Sequence, residues 1–115
     1  MKPGEVYMAD FELAGRHPVI VVSREDLNRG KYVLVVVRTS ARFSARRVFP
    51  NCVPFLAGEF GFTADCVAQC ENMVSIERTD IIDLDDGPIG LLDETRLRDV
   101  IKSIGYVMES DCEPD

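Results

Sequence analysis

The chain has 115 residues, 46% of them hydrophobic and 29% charged, which excludes a disordered polymer and predicts one domain around one core. A formal net charge of −7, read as a single number, argues against nucleic-acid binding, because phosphates are held by a positive field. There is no apolar run of about 18 residues, so no transmembrane helix is expected; the start Met1-Lys2-Pro3-Gly4-Glu5 lacks an apolar signal core, which points to the cytoplasm.

In chain order, Glu5 to Phe11 alternates polar with apolar residues and predicts a first strand, with Pro3-Gly4 punctuating its start. A short loop, Ala14 to His17, ends at Pro18, which suits the opening of a second strand to Ser23. Val19-Ile20-Val21-Val22 and, after a turn at 24–31, Tyr32 to Val37 are continuously apolar, the pattern of strands buried on both faces. The latter run stops at Arg38-Thr39-Ser40, and residues 40–47 form a basic loop. Val48 to Phe55 is strand-like, but Pro50 and Pro54 demote it to an edge. After a turn at Gly58 to Ala64, Asp65 to Glu71 predicts a strand, with Asn72 to Ile76 its continuation or neighbour. Ile81 to Leu84 is a last short strand, closed by Asp85-Asp86-Gly87-Pro88.

The helix runs from Asp93, a good N-cap, to about Met108, with Leu97, Val100, Ile101, Ile104, Val107 and Met108 as its apolar face. Residues 109–115 carry no packing residue except Cys112 and are expected to form an acidic flexible tail beyond a single domain at 1–108. Several short strands followed by one amphipathic helix predict a mainly β fold, a small curled antiparallel barrel with the C-terminal helix packed on it.

The charge is unevenly distributed. Residues 16–47 hold eight basic residues against Glu25 and Asp26, whereas residues 80–115 hold eleven acids against Arg96, Arg98 and Lys102. Screening beyond roughly 8 Å in physiological salt lets a local basic patch attract phosphate despite the negative total. The acidic end is then expected to lie away from that patch.

Of four Cys, at 52, 66, 70 and 112, Cys66 and Cys70 are spaced for one face of a strand rather than for a metal knuckle, and His17 is the lone histidine. Reduced, mostly buried thiols and no metal or other cofactor are expected. No phosphate-cradling Gly-rich loop, nucleophile elbow or HExxH pattern occurs. What remains is polar groups at two strand ends, Arg16-His17 and Arg38-Thr39-Ser40. If those strands are antiparallel neighbours, the two clusters meet at one rim. There a guanidinium can clamp a phosphate, a His can exchange protons near neutral pH, and a hydroxyl can hydrogen-bond a phosphoryl oxygen. Together they suit cleavage of a phosphodiester by its own 2′-hydroxyl.

These residues resemble the MazF/PemK toxin family. The resemblance runs through Pro3 to Phe11, Arg16 to Ser23, the Val-rich strand ending Arg38-Thr39-Ser40, Phe60 to Val67, Glu71 to Ile76 and the helix start Leu91-Leu92-Asp93-Glu94. It implies an SH3-like barrel, a homodimer, and a metal-independent endoribonuclease (mRNA interferase) that cuts single-stranded RNA to leave a 2′,3′-cyclic phosphate and is blocked by an antitoxin. The family's catalytic pair is an Arg just before the second-strand Pro and a Thr ending the third strand. Thr39 matches the Thr, but His17 stands at the Arg position with Arg16 one residue earlier. The resemblance therefore implies catalytic roles for Arg16, His17 and Thr39, and leaves open whether His17 is the acid/base with Arg16 as clamp or activity is lost. Arg38, Ser40, Arg42, Arg46 and Arg47 are the expected RNA-binding residues. A second function of the same fold is binding without cleavage, to DNA gyrase or to an antitoxin alone.

Overall fold

A computed structural model describes residues 1–109. Seven strands form one antiparallel sheet: β1 (Glu5–Asp10), β2 (Arg16–Val21), β3 (Tyr32–Thr39), β4 (Cys52–Phe55), β5 (Cys66–Glu77), β6 (Ile81–Ile82) and β7 (Gly90–Leu91). A one-turn helix α1 (Phe43–Arg46) follows β3, and α2 (Glu94–Val107) follows β7. The order across the sheet is β4-β5-β3-β2-β1-β6, with β7 also on β1. The expected mainly β fold with a terminal helix is present, but β4 and β6 remain edges, so hydrogen bonding does not close the barrel.

The continuously apolar strands are buried on both faces, as their pattern predicts. One face packs Val6, Ile20, Val36, Phe55 and Phe62 under α2, through Leu97, Val100 and Ile104. The other packs Tyr7, Ala9, Val19, Val21, Val35 and Val37 with Ile76 and Ile81. Because side chains alternate along a strand, odd and even positions of β2 and β3 serve different cores.

Several expectations shift by a few residues. The edge strand is only Cys52–Phe55, because residues 48–51 are spent in the turn after α1. The basic loop contains α1, a single turn closed by Arg46 N–H on the Arg42 carbonyl at 2.9 Å. The two candidate strands at 65–76 are one long β5, and the expected strand at 81–84 shortens to β6 before a 3₁₀ turn at Leu84–Asp86. On α2, Asp93 caps as expected, accepting from Arg96 N–H at 2.8 Å. Ile101 and Met108, however, are 47% and 65% exposed. Val100 and Ile104 lie one turn apart on a narrow buried stripe, and Ile101 lies to its side. The tail at 110–115, with Cys112, lies outside the described residues; no helix of the described residues is long and apolar enough to cross a membrane.

Candidate functional site

A cleft of about 290 Å³ opens at the end of β2 and β3, lined by Phe11, Ala14, His17, Val37, Arg38, Thr39, Gln69, Asn72 and Val74. The strands bring His17 and Thr39 together by register. Val19 pairs with Val37 across β2 and β3, and one same-face step toward the rim on each strand reaches His17 and Thr39. Both side chains are half-buried.

Arg16 does not join them. It pairs with Asp10 while His17 pairs with Ala9, so the two side chains leave opposite faces of β2. The one-residue step between Arg16 and His17 thus becomes a change of face, and the single rim expected for both residues divides in two. Arg38, between Val37 and Thr39, borders the cleft, but its guanidinium lies beside the Cys66 thiol. Arg38 Nε is buried with no hydrogen-bond partner among the described residues. Ser40, Arg42 and Arg47 are exposed and Arg46 is half-buried. Arg42 starts α1 from a left-handed conformation at φ 54°, which sets the basic turn directly beyond the end of β3.

The His17 ring is fixed from two sides. Its Nε2 lies 2.7 Å from the Ala14 carbonyl, and its ring centroid is 6.0 Å from that of Phe11. A carbonyl oxygen only accepts, so Nε2 carries the proton and donates, and Nδ1 has no hydrogen-bond partner among the described residues. The 3₁₀ turn at Glu12–Ala14 and Gly15, at φ 84°, places that carbonyl. Thr39 Oγ1 accepts the Ala41 N–H at 3.2 Å, which orients the hydroxyl while leaving its own O–H available.

Ala14, Phe11, Gln69 and Asn72 were not legible as site residues. Gln69 and Asn72 arrive through an irregularity in β5: Val36 pairs with Met73 but Val37 with Gln69, so Cys70 to Asn72 have no counterpart on β3. The only trace in the sequence is the break in apolar patterning near Glu71-Asn72.

The three described cysteines are free and buried. Burial raises the Cys66 thiol above its ordinary range, with Arg38 pulling partly the other way. Burial, then Cys52 and Glu71, push Cys70 up to about 12. At neutral pH both are protonated thiols and weak nucleophiles. Among the described residues no three His, Cys, Asp or Glu side chains gather into a group able to hold a metal ion.

A sequence profile described as PemK-like, MazF-like toxin of type II toxin–antitoxin system matches residues 2–108. The chain belongs to this family. Its members are known as endoribonucleases. Among solved structures, this PemK/MazF-like chain is similar to an endoribonuclease in complex with its cognate antitoxin from Mycobacterial species, with TM-score 0.77, 19% identity and 95% of each chain covered. It is also similar to Mycobacterium tuberculosis toxin MazF-mt6, with TM-score 0.75, 22% identity, and 91% of this chain and 96% of that one covered. A MazE–MazF structure from Deinococcus radiodurans gives TM-score 0.71 at 17% identity, with 94% of each chain covered. At these identities the likeness is one of fold. No curated protein sequence matches the chain.

Proposed function

We propose that this toxin is a metal-independent endoribonuclease that cleaves single-stranded RNA at short motifs by attack of the 2′-hydroxyl, leaving a 2′,3′-cyclic phosphate. The observation that carries the reading is that His17 and Thr39, at the family's two catalytic positions, line one cleft. His17 Nδ1 takes the 2′-hydroxyl proton as the 2′-oxygen bonds to phosphorus, with Nε2–H held by Ala14; the P–O5′ bond breaks, and the departing 5′-oxygen takes a proton from water and leaves as a hydroxyl. The Thr39 hydroxyl donates to a phosphoryl oxygen as charge builds there. Arg16, on the opposite face, acts with Arg38, Ser40, Arg42, Arg46 and Arg47 as the surface that attracts and tracks the phosphate backbone. The protein works in the cytoplasm as a homodimer, its single domain at 1–108, and a cognate antitoxin covers the cleft.

The test is incubation of the purified chain with RNA in EDTA. Wild-type protein is expected to release fragments ending in a cyclic phosphate. His17→Ala is expected to slow cleavage about 100-fold, the low end for a positioned acid/base. Thr39→Ala should cost roughly tenfold, the worth of one hydrogen bond to a charged group. Arg16→Ala should reduce only affinity. Intact RNA, or equal rates in all four proteins, would sink the proposal. The His at the family's Arg position favours one second reading, a member that binds its antitoxin or gyrase without cutting; intact RNA with gyrase-dependent DNA breaks would identify the gyrase case.

A further inference from the structure

We infer that Gln69 and Asn72 form a base-reading edge, which holds one unpaired nucleobase of an RNA strand against Phe11 and selects it by hydrogen bonds; the ligand class rests on the ribonuclease reading above. The backbone first places the two side chains. Gln69 is opposite Val37, and two steps from Val67, which is opposite Thr39. Asn72 lies two steps from Val74, opposite Val35. The period of two therefore puts Gln69 and Asn72 on the face that carries Thr39, and the unmatched Cys70 to Asn72 segment draws both toward one cleft. A regular ladder would hold positions 69 and 72 on opposite faces. The irregularity is what makes them converge.

Their chemistry points to a base. Each carboxamide offers a donor and an acceptor, the complement of a base edge. Among the described residues neither amide group has a protein hydrogen-bond partner, unlike the buried amide of Asn28, which bonds Ser23 and the Met1 carbonyl. The half-buried Phe11 ring forms another wall, and aromatic faces are the usual platform for an unstacked base. The cleft, at about 290 Å³, is at the small end of ligand sites, which start at roughly 300 Å³, a size that suits a single planar base. Arg16, Arg42, Arg46 and Arg47 do not line this cleft, so most of the phosphate attraction and the base choice are carried by different residues and separate experimentally.

The experiment uses the full chain and short 2′-fluoro RNA oligonucleotides, which lack the attacking hydroxyl, varied through A, C, G and U at each position. Wild-type protein is expected to prefer one base at one position by about tenfold, the discrimination of a good bidentate contact. In Gln69→Ala and Asn72→Ala that preference falls below about threefold. Asn72→Asp, which exchanges an N–H donor for an acceptor, moves it toward a base offering a donor at that edge. Asn72 is exposed, and thermal melts of each variant verify folding. No preference in wild-type protein, or preference unchanged in both Ala variants, overturns the inference. Cleavage of ordinary RNA is run in parallel: cutting without base preference overturns this inference alone, and preference without cutting overturns only the ribonuclease reading.

Discussion

Ala14 offers His17 only an acceptor, and that one contact decides how the imidazole is used. With Nε2–H committed to the carbonyl, a neutral His17 keeps Nδ1 unprotonated as an acceptor. An arginine at the same position would present only donors and a fixed positive charge. If the position needs a proton acceptor, His17→Arg cleaves RNA at least about tenfold more slowly than wild-type protein; an equal or faster rate in a gel assay would refute that role. The thiols make a separate prediction. The Cys70 thiol, pushed up to about 12 by burial, and the Tyr7 hydroxyl, pushed up to about 12 by burial and Glu5, both hold their protons longer in the folded state. Raised acids stabilise below their unfolded pKa and lose that contribution as pH rises through the folded value. Stability measured by denaturant should therefore decline above about pH 9, and alkylation of Cys52, Cys66 and Cys70 at neutral pH should require unfolding.

At the scale of elements, two joins hold the sheet to its surroundings. Arg96 on α2 donates to the Pro54 carbonyl on β4 and to Asp99 at 2.7 Å, and its guanidinium carbon lies 4.8 Å from the Phe55 ring centre. This join also blocks the edge. Since the Asn51 carbonyl accepts Cys70 N–H at 2.9 Å, alternation turns Cys52 and Pro54 outward. Cys52 N–H is taken by the Phe49 carbonyl at 3.0 Å, Pro54 has no N–H, and its carbonyl is taken by Arg96. Three of the four outward backbone positions of Cys52 and Pro54 are thus unavailable to an added strand. The second join is a backbone crossing. A side chain at Gly90 would overlap the Phe60 carbonyl, and one at Gly61 the Ile89 carbonyl. Gly90→Ala is expected to prevent folding or lower Tm by more than ten degrees, several kcal/mol at this size. Asp93→Ala, which removes only the α2 cap, should cost about 1 kcal/mol; equal melting of the two variants would contradict the crossing argument.

For the whole molecule, the decisive quantity is where the charge lies, not its sum. The basic turn beyond β3 sits next to the cleft, and the net charge of −7 is set largely by acids after residue 79. Substituting Arg42 and Arg47, both exposed, with Ala should weaken RNA binding alike for all sequences. It should also lower the salt slope of log affinity by about 0.7 for each lost phosphate contact. A fluorescence titration across salt concentrations measures both, and an unchanged slope would place the RNA elsewhere.

The apolar runs at 19–22 and 32–37, the prolines of β4 and the caps of α2 were legible by themselves, because burial on two faces, a missing N–H and an N-cap are local demands. The family was legible too, since its segments recur in order along nearly the whole chain. The face on which each polar side chain emerges was not, because it depends on register, and register is set between strands distant in sequence. One residue of register separates Arg16 from His17, and three unmatched residues in β5 bring Gln69 and Asn72 into the cleft. The sequence alone thus determined the fold, the family and the strand ends that carry polar groups. Only the tertiary pairing decided which of those groups share a cleft, because alternation converts a one-residue shift into the thickness of the sheet.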